Sequence, residues 1–158
     1  MYIQLLYMKE LEQLLKTSSK LPLSRAAVIN VFYTNNWIKD ELLENLKPFE
    51  LSLEQFNVLR ILRGQNNKAI NLQDIQERMV TKMSNTTRLV DKLIKKGYVN
   101  RVICKANRRK VEISITKNGL DVLKKIDPIM DASEAKVTKN LSKQDLEQLN
   151  KLLIKLRN

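Results

Sequence analysis

The sequence predicts a mainly α-helical fold with one small β-hairpin, on three observations. Its 158 residues include only three glycines and three prolines, which favours long helices and few tight turns. Apolar residues recur at helical spacing over most of the chain. After residue 97 the period changes, because "VEISI" alternates apolar and polar side chains in the manner of a strand.

The N-terminal part is predicted to contain two helices. Residues 2–17 carry apolar side chains at helical spacing and form a short helix or an arm, which the segment "TSSKLPLS" ends. Ser24 is then expected to cap a long helix that runs to about Leu46, with Pro48 just past its end.

Three short helices are predicted in the middle of the chain. Ser52 and Gln55 have the spacing of a capping box at the start of the first, which stops at Gly64. Asn71 is expected to cap the second helix. The third is expected over residues 82–96.

A hairpin and two more helices complete the predicted order. The runs "YVNRVIC" and "VEISI" pair over residues 98–115, with "KANRRK" at the tip. Thr116 caps a long helix to about Lys139, and Ser142 caps the last one. The last helix has an apolar stripe of Leu146, Leu149, Leu152, Leu153 and Leu156. Three short helices followed by a hairpin indicate a winged helix-turn-helix, whose third helix enters the major groove of DNA.

Positive charge is concentrated on this third helix and the hairpin. The chain has a net charge of +12, and residues 82–110 contain ten basic side chains against one acidic side chain. Such a concentration of charge favours an anionic partner, either nucleic acid or a membrane surface, over a basic surface that is merely solvated. The apolar side of the third helix is needed for the core of the winged domain, which argues against insertion into a membrane surface.

The third helix is predicted to have two faces. The face that packs comprises Thr86, Leu89, Val90 and Leu93. Residues of the types that contact base edges open the other face, namely Ser84, Asn85, Thr87 and Arg88. Basic side chains expected to meet phosphate are Lys82, Lys92 and Lys95, and those expected at the wing tip are Arg108, Arg109 and Lys110. Asp91 is expected to pair with Lys95 within the helix.

Three segments resemble the MarR-type regulators. They are "LSLEQFNVLRIL", "TTRLVDKLIKKGYVNR" and "NRRKVEISITKNG", and the resemblance covers roughly residues 24–157. It implies a homodimer with interlocked terminal helices and two winged domains that read a palindrome. It also implies that Arg109 is the wing arginine that enters the minor groove. Asn107 stands where the family usually has Asp, and Ile115 where it usually has Leu.

The resemblance also suggests a domain organisation and an effector. Dimerisation helices are expected over residues 2–47 and 117–157, and the DNA-binding domain over residues 51–116. A small aromatic or phenolic effector would bind in a cleft that Phe32, Tyr33, Trp37 and Phe56 could line. Aromatic residues at helical spacing also fit a role in the core. Cys104 falls in a wing strand, where a buried structural thiol is expected.

Other classes of protein lack support in the sequence. The chain has no His and one Cys, which argues against a zinc site or a disulfide framework, and no metal or cofactor is expected. No catalytic motif is present, so an enzyme is not expected. No apolar run reaches the roughly 18 residues of a membrane span, and we expect a cytoplasmic protein. The sequence therefore predicts a sequence-specific DNA-binding transcriptional regulator, with repression expected over activation, and a non-specific architectural nucleic-acid-binding protein is the alternative.

Overall fold

The computed structural model describes residues 9–17, 19–66, 68–82, 85–103 and 111–158. Within these residues it confirms the mainly α-helical fold with a β-hairpin. Residues 9–14 are helical. The further helices are α1 (Leu23–Leu46), α2 (Leu53–Arg63), α3 (Leu72–Arg78), α4 (Thr86–Lys95), α5 (Lys117–Thr138) and α6 (Lys143–Arg157), and the strands are β1 (Val99–Ile103) and β2 (Val111–Ile115).

The chain divides into two compact units, Met1–Glu41 and Leu42–Asn158. In the first unit, Leu11 and Ala26 are buried, while most of helix α1 up to Glu41 is exposed. The second unit contains the hydrophobic core, which runs from Leu46 at the end of α1 to Met130 in α5 and includes the buried faces of α2, α4 and both strands. No helix in the described residues is long and apolar enough to cross a membrane.

The caps of the predicted helices are confirmed at four of the positions named from the sequence. Ser52 and Gln55 form the expected capping box, in which the Ser52 hydroxyl accepts from the Gln55 amide at 3.2 Å. Asn71 caps α3, Thr116 caps α5 and Ser142 caps α6. Each cap satisfies a backbone N–H that the first helical turn leaves without a partner.

Two predicted helix starts are wrong. Helix α1 begins at Leu23, so Ser24 lies inside its first turn rather than at its cap. Helix α4 begins at Thr86 rather than at residue 82. Asn85 caps it, because its side-chain oxygen accepts from the backbone N–H of Arg88 at 3.1 Å.

The hairpin pairs in antiparallel register, from Val99 opposite Ile115 to Ile103 opposite Val111. Ile113 in β2 also exchanges two backbone hydrogen bonds with Ile70, at 2.8 and 3.0 Å. This bridge ties the segment before α3 to the base of the hairpin. The predicted tip "KANRRK" lies outside the described residues.

Helix α1 ends in a conformation that favours glycine but is occupied by a glutamate. The helix continues into a 3-10 turn over Lys47–Phe49, after which Glu50 has φ 51° and ψ 39°. The Glu50 amide donates to the Lys47 carbonyl at 2.9 Å, and the Leu51 amide donates to the Leu46 carbonyl at 3.3 Å. A left-handed conformation costs a residue with a side chain roughly 1–2 kcal/mol.

Gly119 lets the first turn of α5 approach the hairpin closely. A Cβ atom at this position would lie 2.3 Å from the carbonyl oxygen of Tyr98 and 2.7 Å from a side-chain carbon of Ile115. The Thr116 hydroxyl joins the same contact, because it donates to the Gly97 carbonyl at 2.7 Å while it caps α5. The chain therefore needs glycine here for close packing.

We predict that Gly119→Ala destabilises the protein by about 1–3 kcal/mol, because the added methyl group meets backbone that cannot move without shifting the hairpin. Urea denaturation measures the change in the free energy of unfolding. Gly64→Ala is the matched control, since its new Cβ would have no neighbour closer than 3.5 Å. Equal stability of the two variants would contradict the role assigned to Gly119.

Candidate nucleic-acid interface

Helix α4 has one buried and one exposed face. Thr86, Val90 and Leu93 are buried, and Leu89 packs partly buried against the same core. This arrangement confirms the packing face predicted from the sequence. The opposite face exposes Thr87, Arg88, Lys92 and Lys95 to solvent. Helix α4 is therefore seated in the core and presents polar and basic side chains outward.

Asn85 caps the N-terminus of α4. It is exposed, and its carbonyl oxygen accepts the hydrogen bond from the Arg88 amide that caps the helix. A bidentate contact with adenine would use this same oxygen together with the side-chain amide. The base contact predicted for Asn85 therefore has to share the oxygen with the cap. Ser84, the other residue predicted at this turn, lies outside the described residues.

The intrahelical pair predicted between Asp91 and Lys95 is not formed. Instead, the carboxylate of Asp91 binds the guanidinium of Arg101 in strand β1, with 2.8 Å between oxygen and nitrogen. The reason is geometric, because the hairpin folds back beside α4 and brings a planar guanidinium to the carboxylate. Sequence spacing gives no sign of this pair, since the contact depends on how β1 packs.

Two further basic side chains of the charged segment are bound within the protein. The ammonium of Lys82 donates to the backbone carbonyl of Glu77 at 2.7 Å. The ammonium of Lys96 forms an ion pair with the carboxylate of Glu50 at 2.9 Å. The hydrogen bond that Lys96 donates to Glu50, together with the attraction between their charges, lowers the pKa of the Glu50 carboxyl group. The pair is therefore intact at neutral pH and is lost only as the pH falls through that lowered pKa.

Arg88, Lys92 and Lys95 differ from these neighbours. Within the described part of the chain, none of the three forms an ion pair. Their positive charge is consequently not neutralised by a described carboxylate. Three such basic side chains on one face of α4 are suited to binding an anionic surface.

The wing is described only at its base. The paired ends Ile103 and Val111 bracket the seven residues of the tip. Cys104, Asn107, Arg108, Arg109 and Lys110 fall among residues 104–110, which lie outside the described residues. Their predicted roles stay predictions.

The four aromatic residues predicted to line an effector cleft fall in different environments. Phe32, Tyr33 and Trp37 belong to the first unit and are 66%, 49% and 50% exposed. Phe56 belongs to the second unit, where it is buried in the core with the Arg60 guanidinium 5.7 Å from its ring centroid.

A cavity of about 260 Å³ lies between α2 and α5 in the second unit. Phe56 and Met130 line it, with charged side chains at Arg60, Asp131 and Glu134. The Arg63 guanidinium and the Asp127 carboxylate form an ion pair on its wall, which joins α2 to α5. No group of three or more Asp, Glu, His or Cys residues in the described ranges is arranged to hold a metal ion.

Known proteins are similar to this chain in the region from α2 to the hairpin. The family model for the MarR family matches residues 51–111, which run from α2 to the start of β2. The HTH-type transcriptional regulator YfiV of Bacillus subtilis, itself described as uncharacterised, is 35% identical over 75 residues. That alignment covers 48% of this chain and 46% of YfiV, so it spans about half the length of each protein.

Two further comparisons extend over most of the chain. The multiple antibiotic resistance protein MarR of Salmonella typhimurium is 28% identical over 129 residues, which are 80% of this chain and 88% of that protein. The crystal structure of a MarR mutant from E. coli complexed with operator DNA superimposes with a TM-score of 0.72 at 24% identity. It covers 80% of this chain and 89% of the other, and at this identity it supports the fold.

We predict that the Asp91 carboxylate is coupled to Arg101 and not to Lys95. A double-mutant cycle with Asp91→Asn and Arg101→Gln should give a coupling of roughly 0.2–1 kcal/mol in the free energy of unfolding, the range for partly exposed pairs. The same cycle with Lys95→Gln is the control and should give additive changes. Coupling of Asp91 to Lys95 without coupling to Arg101 would instead support the intrahelical pair.

Proposed function

We propose that the chain is a MarR-family, sequence-specific DNA-binding transcriptional regulator, and more narrowly a repressor. The observation that supports this most directly is helix α4, which buries Val90 and Leu93 and exposes a basic face. A helix held by the core in this way can enter the major groove without unfolding its own domain. The relatives named above are transcriptional regulators or bind operator DNA.

The side chains of α4 divide the work of binding DNA. Arg88, in the first turn, is placed to read a base edge, because its guanidinium can donate two hydrogen bonds to guanine. Lys92 and Lys95 follow on the exposed face and would neutralise phosphate, which supplies affinity without sequence information. From the wing we propose that Arg109 enters the minor groove, with Arg108 and Lys110 near the backbone. This last assignment rests on the sequence resemblance.

The regulator acts as a homodimer, and exposed apolar helices support this. Helix α6 has no buried residue in the described chain, and it exposes Leu149, Leu152 and Leu156. In the first unit, α1 exposes Phe32 and Trp37. Apolar surface on this scale is typical of an interface between copies. We assign residues 2–47 and 117–157 to dimerisation and residues 51–116 to DNA binding, and a twofold dimer then reads a palindromic operator in the cytoplasm.

We also propose that a small aromatic or phenolic effector modulates DNA binding. The cavity between α2 and α5 supports a site by its position, because the Arg63–Asp127 pair on its wall joins a helix of the DNA-binding domain to a dimerisation helix. Five of its seven lining residues are charged, and the two apolar ones, Phe56 and Met130, are buried, so it would favour a ligand that carries a polar group such as a phenolic hydroxyl. A ligand that binds there with different affinity in two arrangements of these helices would shift the balance between them. Phe32, Tyr33 and Trp37 belong to the first unit, and their proposed role as effector contacts rests on the sequence resemblance.

We predict that Arg88→Ala weakens binding to operator DNA by about 1–3 kcal/mol and relaxes the base preference at one position of each half-site. Arg109→Ala should weaken binding by a similar amount. A gel shift on the region upstream of the chain's own gene measures both. Lys125→Ala, which removes an exposed positive charge from α5, is the control and should change affinity less. If scrambled DNA competed as well as the operator against the wild-type protein, the architectural alternative would replace this proposal.

We predict that simple phenols and benzoates weaken operator binding, and that Trp37, the single tryptophan of the chain, reports their binding. Titration should then give a saturable change in tryptophan fluorescence, together with weaker operator binding over the same concentration range. In Trp37→Phe the fluorescence signal disappears, while the effect of the ligand on operator binding should persist. A fluorescence change without any effect on DNA affinity would argue against an effector role.

A further inference from the structure

We propose that Glu50 is a positioning residue for DNA recognition, which acts by fastening the C-terminal end of helix α4 to the end of helix α1. The inference rests on the proposed function, in which α4 is the recognition helix. Glu50 and Lys96 are 46 residues apart in sequence, and their side chains meet at 2.9 Å. The pair therefore connects two elements, unlike an ion pair within one helix.

The backbone at Glu50 is left-handed, with the same φ of 51° as Lys16 and Asn66. Its left-handed conformation ends the 3-10 turn that follows helix α1 and precedes the buried Leu51, and glycine would adopt this conformation without a steric cost. An exposed ion pair stabilises a fold only slightly, and Glu50 is 83% exposed. The stabilisation from the pair consequently does not exceed the cost of placing a side chain in this conformation. At Glu50 this conformation is combined with a side chain that binds a second element through Lys96, and residues held at a steric cost cluster at functional positions.

The position of Lys96 indicates what the contact controls. Lys96 is the C-cap of α4, and its amide donates to the Lys92 carbonyl at 3.2 Å. Gly97 follows with φ 72°, and the chain then turns into β1. The side chain of Lys96 is only 27% exposed, so the protein surface confines it on its way to Glu50. The pair thus acts at the turn between the recognition helix and the wing.

A second ion pair restrains the same helix from another side. Asp91 binds Arg101 in β1, so α4 is tied to the wing by one pair and to the end of α1 by the other. Loss of the Glu50 pair leaves the fold intact, because the buried face of α4 still packs. Without the pair, the C-terminal end of α4 can shift by small amounts. Such a shift weakens contacts that depend on orientation, such as bidentate base contacts, more than it weakens contacts with phosphate.

Positioning and simple charge effects predict different outcomes for two variants. Glu50→Gln removes a negative charge near the DNA-binding face, whereas Lys96→Gln removes a positive charge. If only charge matters, the first strengthens DNA binding and the second weakens it. If the pair positions α4, both variants weaken binding to the operator. The direction of the Glu50→Gln effect on operator affinity therefore separates the two explanations.

The experiment uses fluorescence anisotropy of the full-length protein with a duplex from its own upstream region and with a scrambled duplex of equal length. We expect each single variant to lose roughly twofold to fivefold in operator affinity, which corresponds to the energy of a partly exposed pair. The double variant should lose no more than either single variant. On the scrambled duplex, Glu50→Gln should bind slightly more tightly and Lys96→Gln less tightly.

Two control variants make the outcome decisive. Glu44→Gln changes the net charge by the same amount but breaks a pair with Lys47 that is local in sequence, and it should keep operator affinity. Glu50→Gly relieves the backbone cost, so it should be at least as stable in urea as the wild type and still lose operator affinity. Additive losses, or tighter operator binding by Glu50→Gln, would overturn the inference. Wild-type protein that does not distinguish the two duplexes would instead overturn the proposed function.

Discussion

The burial of one face of helix α4 is the constraint on which the rest of the second unit depends. Val90 and Leu93 are fully buried, and each contributes roughly 1.5–3 kcal/mol through the apolar surface it removes from water. A helix rotated about its axis would lose both contributions. The core of α2, α5 and the hairpin therefore decides which side chains α4 presents, and the basic face points outward because the apolar face is held.

The charge of the segment is used in two ways. Three basic side chains bind groups of the protein itself. Lys82 binds the C-terminal end of α3, Lys96 binds Glu50 after the end of α1, and Arg101 binds Asp91 in α4. Arg88, Lys92 and Lys95 have no described carboxylate partner and stand on one face. The net charge of the segment suggests that all of these side chains serve the same partner. The structure instead separates the basic side chains that bind other groups of the protein from the basic side chains that α4 exposes to solvent.

The sequence was informative where the interactions are local. The capping box predicted at Ser52 and the cap predicted at Ser142 involve residues three apart, so the local pattern that predicts them is also the interaction that forms. Helical periodicity likewise identified the packing face of α4, because that face follows from the helix geometry alone. The start of α4 was placed four residues too early, since the polar residues before Asn85 fit a first helical turn as well as they fit a loop.

By itself, the sequence determined the element order, the hairpin, the concentration of positive charge and the resemblance to a family, because each is a matter of composition, period or short-range spacing. Only the tertiary structure decided that Asp91 pairs with Arg101, that Glu50 reaches Lys96, and that Gly119 lies against the Tyr98 carbonyl. These contacts join residues distant along the chain or on different elements. Their formation depends on how helices and strands pack, which local spacing does not encode.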